Sequence, residues 1–260
     1  GDLIVIAGRP SMGKTALARH FASAVAGQRH GVAFFSVETP KPKLSQIWAL
    51  TQASIDKAKL RDRSLMTNAD WGRLTAAAEE LAHAPIWIDH TPGLTLQQLR
   101  AKARRIKTIA KRRGVELKLV VVDYLQLMNG STLCNRNAQR EEVVATMSRE
   151  VKRLAGELDV HVALLSQINR GVENRSVQNK RSNLSDLRES GAIEADADNA
   201  ILLYRDEYYH PGTKDAGICE LIIAKQRDGK RGVTVKTRFT DWCTRFEDLT
   251  YDDRDPRCPD

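Results

Sequence analysis

The chain has 260 residues, of which 42% are hydrophobic and 28% are charged, and its formal net charge is +8. This length is enough for one sizeable α/β core, and the apolar content excludes an intrinsically disordered chain. No apolar run approaches the roughly 18 to 20 residues that a membrane span needs, and no secretory signal opens the chain, so we expect a cytoplasmic protein with no membrane partner.

The first part of the chain alternates aliphatic runs with an alanine-rich segment. Residues 3–7 predict a buried strand that ends at Gly8, residues 14–26 predict a helix, and residues 32–37 predict a second strand. Strand, glycine loop, helix and strand together form a βαβ unit, which implies a parallel sheet.

The remaining segments continue this alternation. Helices are predicted within residues 43–81 and at 96–113 and 141–158, and strands are predicted at 85–88, 118–122, 160–165, 200–204, 220–224 and 233–239. Because neither an internal repeat nor an interdomain linker is recognisable, residues 1–260 are predicted to form a single domain. The predicted fold class is α/β, with a mostly parallel, twisted sheet flanked by helices.

The basic surplus is concentrated in the predicted helix at 96–113. Eight lysine and arginine residues lie between positions 100 and 113, beside an apolar stripe of Leu99, Ile106 and Ala110. A basic excess favours a polyanionic partner without identifying it. Because charge runs are most often solvated helix faces, we interpret this one in the same way, with a binding surface as the alternative.

The cysteines indicate neither a metal site nor a disulfide framework. They are Cys134, Cys219, Cys243 and Cys258, with no CxxC pair and no histidine cluster beside them. Reduced thiols, as in cytosolic proteins, are therefore expected.

Residues 8–15 match the phosphate-binding pattern G-x-x-x-x-G-K-[ST]. Glycines let the backbone approach phosphate oxygens, and the N-terminus of the following helix directs N–H groups and a partial positive charge at the same anion. Lys14 would place its charge on the β- and γ-phosphates, and Thr15 would offer its hydroxyl to Mg²⁺. The flanking strand and helix favour this interpretation over a simple glycine turn. The predicted ATP-binding residues are Gly8, Arg9, Pro10, Ser11, Met12, Gly13, Lys14 and Thr15.

Two acidic residues follow predicted strands of the same sheet. Asp123 ends the aliphatic strand at 118–122, where a carboxylate suits a Mg²⁺ ion beside the phosphate loop. Glu38 follows the strand at 32–37, at the sheet edge where ligands bind, and could activate a water molecule. Topology alone leaves a surface acid before Pro40 equally plausible for Glu38.

Five segments together resemble the successive motifs of DnaB-type replicative helicases. They read GRPSMGKT at 8–15, VDYLQLM at 122–128, SQINRGVE at 166–173, SDLRESGAIE at 185–194 and AKQR at 224–227. The first pattern alone does not select a family, whereas the Leu-Arg-Glu-Ser-Gly and Lys-Gln-Arg segments are much more discriminating. The resemblance extends from about residue 1 to residue 248.

This resemblance implies a RecA-like ATPase core that binds ATP and Mg²⁺ and works as a ring of six copies around single-stranded DNA. It also implies 5′→3′ travel, and a helicase loader and a primase as partners. The family's N-terminal domain and linker helix are not recognisable here, which leaves ring formation by this chain alone open. A RecA-type recombinase that forms open filaments and an ATP-gated binding module share the fold and remain as alternatives.

The resemblance also assigns catalytic residues. Glu38 matches the catalytic glutamate, Asp123 matches the Mg²⁺-associated aspartate, and Gln167 matches a glutamine that senses the γ-phosphate. Lys225 and Arg227 match a pair that reaches the γ-phosphate held by the neighbouring subunit. Charge spreads over the γ-phosphoryl oxygens in the transition state, so an added cation there can be worth roughly 10³ to 10⁵ in rate.

The candidate DNA contacts lie in two loops, of which the resemblance implies the first. Arg188, Glu189 and Gly191 match the loop that holds the DNA backbone inside the ring, where an arginine suits a phosphate and a glycine permits close approach. Arg136, in the polar loop after the Asp123 strand, is a further candidate, and a solvated loop arginine is an equal alternative. Because only 5% of residues are aromatic, we expect backbone tracking without base preference.

Overall fold

The computed structural model describes residues 1–123, 140–174 and 180–249. The strands are β1 (Leu3–Gly8), β2 (Gly31–Ser36), β3 (Ile86–His90), β4 (Leu117–Asp123), β5 (His161–Gln167), β6 (Asn199–Tyr204), β7 (Ile218–Gln226), β8 (Val233–Thr240) and β9 (Arg245–Glu247). The α-helices are α1 (Lys14–Gly27), α2 (Lys41–Gln52), α3 (Asn68–His83), α4 (Leu96–Arg112), α5 (Arg140–Leu158), α6 (Gly191–Asp196) and α7 (Asp206–Tyr209). Short 3-10 segments lie at Lys57–Leu60, Arg63–Leu65, Arg170–Asn174 and Leu184–Ser190.

The described strands form one sheet in the order β3-β2-β4-β5-β1-β6-β7-β8-β9. Neighbouring strands from β3 to β6 run parallel, and β6 to β9 pair antiparallel. The predicted α/β class with a mostly parallel sheet is confirmed. The antiparallel extension was not predicted, and it includes the short strand β9, which sequence periodicity did not indicate.

Both faces of the parallel sheet are covered, as the continuous aliphatic runs predict. Successive strand residues face opposite sides, so Phe34 and Val121 are buried in the cluster that contains α1, while Phe35 and Val122 are buried in the cluster that contains α4 and α5. The parallel strands are therefore a rigid platform, and their carboxyl ends can hold side chains in fixed positions.

Helix α4 differs in part from the solvated face that its charge run suggested. Its predicted apolar stripe is buried, as expected. Several of its basic residues are bound to neighbouring elements, with ion pairs from Arg100 to Glu150, Lys102 to Asp89 and Arg104 to Glu157. The charge run thus joins α4 to β3 and α5, because acidic side chains of those elements face it.

The remaining general predictions concern membranes and thiols. In the ranges described, no helix combines the length and apolarity that crossing a membrane requires. Cys219 and Cys243 are free and buried. Cys134 and Cys258 lie outside the described residues.

Candidate active site

Four adjacent parallel strands bring Glu38, Asp123, Gln167 and the phosphate loop to one edge of the sheet. In the order β2-β4-β5-β1, Ser36 is the register partner of Asp123, and Gln167 is the register partner of Gly8. The amide of Val37 donates to the Asp123 carbonyl at 2.7 Å, which places Glu38 one residue further along. The carboxyl ends of these strands therefore assemble the acids, the glutamine and the phosphate loop at one place.

The phosphate loop has the backbone conformation that an anion site needs. Ser11 and Gly13 have positive φ angles of 65° and 100°. A Cβ atom on Gly13 would lie 3.1 Å from the Phe239 ring and 3.2 Å from the Phe246 ring, so a side chain there would crowd both. Helix α1 then begins without a side-chain cap or an acidic residue in its first turn, which leaves its N-terminal amides directed at the loop.

A cleft of about 540 Å³ lies above this loop. Its lining includes Pro10, Ser11, Gly13, Lys14 and Thr15 from the loop and Glu38, Asp123 and Gln167 from the strand ends. The other predicted ATP-binding residues, Gly8, Arg9 and Met12, are not among the residues that line the cleft. Met12 is instead buried in the core. The cleft thus gathers cationic, hydroxyl and carboxylate groups of the kind that bind a metal–triphosphate complex.

Lys14 crosses the loop from the first turn of α1. Its ammonium group donates to the carbonyl oxygens of Gly8 at 2.9 Å and Arg9 at 3.0 Å. Burial lowers the pKa of Lys14 to about 8, although the nearby Asp123 and Glu38 carboxylates oppose this shift. A cation desolvated in this way gains strongly from an anion placed beside it.

Asp123 and Thr15 form the candidate metal site. The Thr15 hydroxyl donates to Asp123 Oδ2 at 2.9 Å, and Asp123 is only 3% exposed. Mg²⁺ is held in nucleotide sites by one or two protein oxygens, together with phosphate oxygens and waters. The pair fits that arrangement, and no cluster of three or more metal-ligating side chains occurs in the described ranges.

Burial makes the Asp123 carboxyl group harder to ionise. It raises the pKa of Asp123 to about 6, and the Thr15 hydrogen bond only partly opposes this effect. The folded chain therefore binds a proton at Asp123 more tightly than the unfolded chain does, and the stability from this group is lost as the pH rises through about 6.

Asp123→Asn is accordingly expected to stabilise the nucleotide-free protein at pH 7.5, because a neutral amide keeps an oxygen for the Thr15 hydroxyl without a buried charge. At about 1.4 kcal/mol per pKa unit, the rise of the pKa from 3.8 to about 6 corresponds to a gain on the order of 3 kcal/mol. Thermal unfolding of both proteins at pH 7.5 and 5 measures it. The difference should shrink at pH 5, and an Asp123→Asn protein that unfolds earlier at pH 7.5 would contradict this account.

The turn between β8 and β9 closes one end of the cleft, and sequence reasoning missed it. Asp241 and Thr244 line the cleft from this turn. Arg19 is buried on α1, one helical turn after Thr15, and donates to the Thr244 hydroxyl at 2.8 Å. The helical spacing of four was the one available signal for Arg19, since it places both residues on the same face.

Two buried arginines connect the phosphate loop to other elements. Arg9 is bound to Glu173 and donates to the Ile168 carbonyl at 2.8 Å, which joins the loop to the segment after β5. Arg205 donates to the Ser11 carbonyl at 3.2 Å and stacks over the Phe239 ring at 4.3 Å. The loop, which follows β1, is therefore held by contacts on the β5 side and on the β6 side of that strand.

Lys225 and Arg227 lie at the opposite edge of the sheet from this cleft. β7 runs antiparallel to β6, with Gln226 paired to Asn199 at the start of β6. The Arg227 guanidinium contacts Asp198, which also binds the Leu3 amide at the start of β1. The phosphate loop begins five residues further along β1, roughly 17 Å away at the rise of a strand.

The predicted DNA-binding residues are described only in part. Arg188 and Glu189 lie in the 3-10 segment Leu184–Ser190, and Gly191 begins α6. The described contacts do not include their side chains. Arg136 lies outside the described residues. The structure thus brings together the residues predicted to bind nucleotide, and the DNA contacts stay predictions.

A second cleft shows that size alone does not identify the site. It has about 580 Å³ and lies between α2, α3 and β3, with mainly apolar side chains such as Leu74, Leu81 and Trp87 around it. The lining given by the described residues includes no carboxylate. It cannot carry phosphoryl chemistry, so the polar cleft above the phosphate loop is the candidate active site.

Comparisons with known proteins show which family the chain resembles. The chain is 44% identical over 249 residues to the "Replicative DNA helicase DnaC" of Bacillus subtilis (strain 168), covering 95% of this chain and 52% of that protein. The same identity and coverage hold for the "Replicative DNA helicase DnaB" of Geobacillus stearothermophilus. The chain spans about half the length of these relatives.

Solved structures share the whole fold. One is described as "ATPase Domain of G40P", with a TM-score of 0.87, 37% identity and coverage of 96% of this chain and 85% of that chain. Another is "The Structure Of A DnaB-Like Replicative Helicase And Its Interactions With Primase", with the same score and identity, covering 96% of this chain and 57% of that chain. The model of the "DnaB-like helicase C terminal domain" matches residues 1–248. With this match and a RecA-like ATPase fold, the chain belongs to the DnaB-like helicase C-terminal domain family.

Proposed function

We propose that the chain is the ATP-hydrolysing motor of a replicative DNA helicase, which moves 5′→3′ on single-stranded DNA as a ring of six copies and unwinds duplex. The observation that carries this proposal is the division of charged groups between two edges of one sheet. The phosphate loop and its acids lie at one edge, and the cations Lys225 and Arg227 lie at the other. In this proposal, the active site is complete only beside another copy of the chain.

The residues of the cleft have separate roles in this proposal. Lys14 binds the β- and γ-phosphates of ATP, and Thr15 with Asp123 holds Mg²⁺, which neutralises phosphate charge when it is bound. Glu38 is exposed at the mouth of the cleft, where it can accept the proton of an attacking water molecule. Gln167, beside the start of the phosphate loop, senses the γ-phosphate.

The neighbouring copy supplies the remaining positive charge. Lys225 and Arg227 would reach the γ-phosphate of the adjacent subunit and stabilise the charge that develops there. Neither residue lines the cleft of its own chain. This arrangement makes hydrolysis depend on assembly, because an isolated copy can bind ATP in its own cleft but lacks the cations that a neighbouring copy supplies.

The DNA is held, in this proposal, by Arg188, Glu189, Gly191 and Arg136 in the centre of the ring. The net charge of +8 agrees with a polyanionic ligand. A primase partner is supported by the solved DnaB-like helicase whose structure includes its interactions with primase. We extend the proposal to a helicase loader as a further partner and to a location at the replication fork in the cytoplasm.

The proposed function is tested by the ATPase rate with and without single-stranded DNA, read beside particle mass from light scattering. The rate should rise when DNA is added, and it should rise only in fractions whose mass corresponds to six copies. Blunt duplex DNA of the same total length is the matched control, because it offers phosphates without a strand to encircle.

Two outcomes would favour the alternatives. Open helical filaments in negative-stain images, instead of closed rings, would indicate a recombinase. Nucleotide binding with slow turnover that DNA leaves unchanged, at every assembled mass, would indicate an ATP-gated binding module. Either result would overturn the motor assignment while leaving the nucleotide site intact.

A further inference from the structure

Asp198 lies between α6 and β6 and is the partner of Arg227. The Arg227 Nη1 atom donates to Asp198 Oδ1 at 2.9 Å. The other oxygen, Oδ2, accepts from the Leu3 amide at 2.8 Å and is bound to the Lys152 ammonium. One carboxylate thus serves two sets of donors, and each set has its own oxygen atom.

The two sides of this contact differ in their environment. Asp198 is 4% exposed, whereas the Arg227 side chain is 68% exposed. A guanidinium has five N–H donors in a planar fork, and an ion pair through Nη1 leaves much of that fork accessible. The buried partner therefore fixes the direction of a side chain whose end remains free to bind a phosphate.

A purely structural explanation of the ion pair is incomplete. A buried carboxylate needs partners, but the Leu3 amide and Lys152 already provide a hydrogen bond and a charge to Asp198. Arg227 gains more from the contact than Asp198 does. An exposed arginine loses side-chain entropy when it is ordered, and a fixed partner removes part of that cost from the later binding step.

Lys225 is held by the same segment of the chain. Its ammonium donates to the carbonyl oxygens of Glu194 at 2.7 Å and Ala195 at 3.2 Å, in the last turn of α6. Both cations at the end of β7 are therefore anchored within residues 194–198. A side chain that is ordered before its ligand arrives binds in the geometry that the reaction needs.

We propose that Asp198 is a positioning residue that holds the Arg227 guanidinium directed outward, toward the nucleotide phosphates bound by an adjacent copy of this chain. This inference rests on the proposed function, because it requires that Arg227 acts on a neighbouring site. Asp198 itself contacts neither nucleotide nor metal; it acts through Arg227.

The test compares Asp198→Asn with Lys152→Met in the assembled protein. The Leu3 amide is fixed in β1, so the asparagine oxygen stays with it, and the asparagine NH₂ group then faces the Arg227 donors. Lys152→Met removes a charged partner of the other oxygen and leaves the Arg227 contact in place. We expect kcat to fall roughly 10²-fold for Asp198→Asn, as for a misdirected catalytic group, with an unchanged KM for ATP. Lys152→Met should keep the kcat of the unaltered protein.

A mixing experiment separates positioning from damage to the fold. Subunits with Asp198→Asn have an intact phosphate loop, and Lys14→Ala subunits have an intact Arg227, so a mixture should regain ATPase activity. Equal loss of kcat in Asp198→Asn and Lys152→Met, or no recovery on mixing, would overturn the inference. Unchanged kcat in Asp198→Asn would overturn it as well.

The same mixing experiment with Arg227→Ala keeps the two proposals distinguishable. If Arg227→Ala is rescued by Lys14→Ala while Asp198→Asn turns over normally, only the positioning role is lost. If Arg227→Ala is itself never rescued, the action of Arg227 on a neighbouring site fails, and the proposed function loses its main support.

Discussion

Replacing Lys14 with alanine is expected to abolish ATP hydrolysis, with a fall in kcat of at least about 10²-fold, the cost typical of removing one group that stabilises developing charge. The ammonium lies in the cleft between the phosphate loop and the acids, where burial lowers its pKa to about 8. The methyl group of alanine has no charge, so the phosphates would lose their desolvated positive partner. Steady-state ATPase assays with saturating single-stranded DNA measure the effect.

Lys118→Ala is the matched control for this change. Lys118 lies near the amino end of β4, at the far edge from the cleft, and pairs with Glu116. Its loss should leave the rate unchanged, since exposed ion pairs contribute little to stability. If Lys14→Ala hydrolysed ATP at the unaltered rate while Lys118→Ala behaved as expected, the assignment of the nucleotide site would be wrong.

Arg227→Ala is expected to lower kcat by about 10³-fold or more, with ATP binding nearly intact, because an arginine donated in trans supplies a rate factor of roughly 10³ to 10⁵. The residue lies at the edge of the sheet away from its own cleft. Equilibrium binding of a fluorescent ATP analogue and turnover measured on the same preparation separate the two effects. Arg153→Ala is the control, since Arg153 is equally exposed at 68% and also has one carboxylate partner.

Mixtures of Lys14→Ala and Arg227→Ala subunits then test action between copies. Each variant alone lacks one half of every site, but a mixed ring contains interfaces with an intact phosphate loop on one side and an intact arginine on the other. Activity should therefore reappear at intermediate ratios. A series of ratios that all assemble and all remain inactive would rule out a contribution in trans.

The parallel sheet and the groups at its edge were predictable because their causes are local. An aliphatic run that ends at Asp123 indicates a buried strand with a polar end. Gly13 followed by Lys14 indicates a loop that is directly followed by a helix. Parallel pairing then places these ends side by side. The resemblance added Gln167, which lies at the same edge, and the cations at the end of β7, whose action on a neighbouring copy stays a prediction.

The far end of the cleft was not predictable from these local patterns. Thr244 reaches Arg19 across 225 residues of sequence, and it adopts a φ angle of 51° without being glycine. No periodicity marks such a residue, because tertiary contacts impose its conformation. The pairing of Arg227 with Asp198 has the same character. Asp198 precedes β6 and Arg227 follows β7, and the antiparallel register of these two strands brings them together.

The contact of Lys225 with the last turn of α6 has a thermodynamic consequence for the proposed ring. That helix directly follows the segment Leu184–Ser190, which contains the predicted DNA contacts. If DNA binding shifted this segment, it would also move the carbonyl groups that hold Lys225, which we propose acts on the nucleotide of the next copy. Such coupling is reciprocal in free energy. If bound DNA changes a neighbouring copy's affinity for nucleotide by some factor, bound nucleotide must change the affinity for DNA by the same factor.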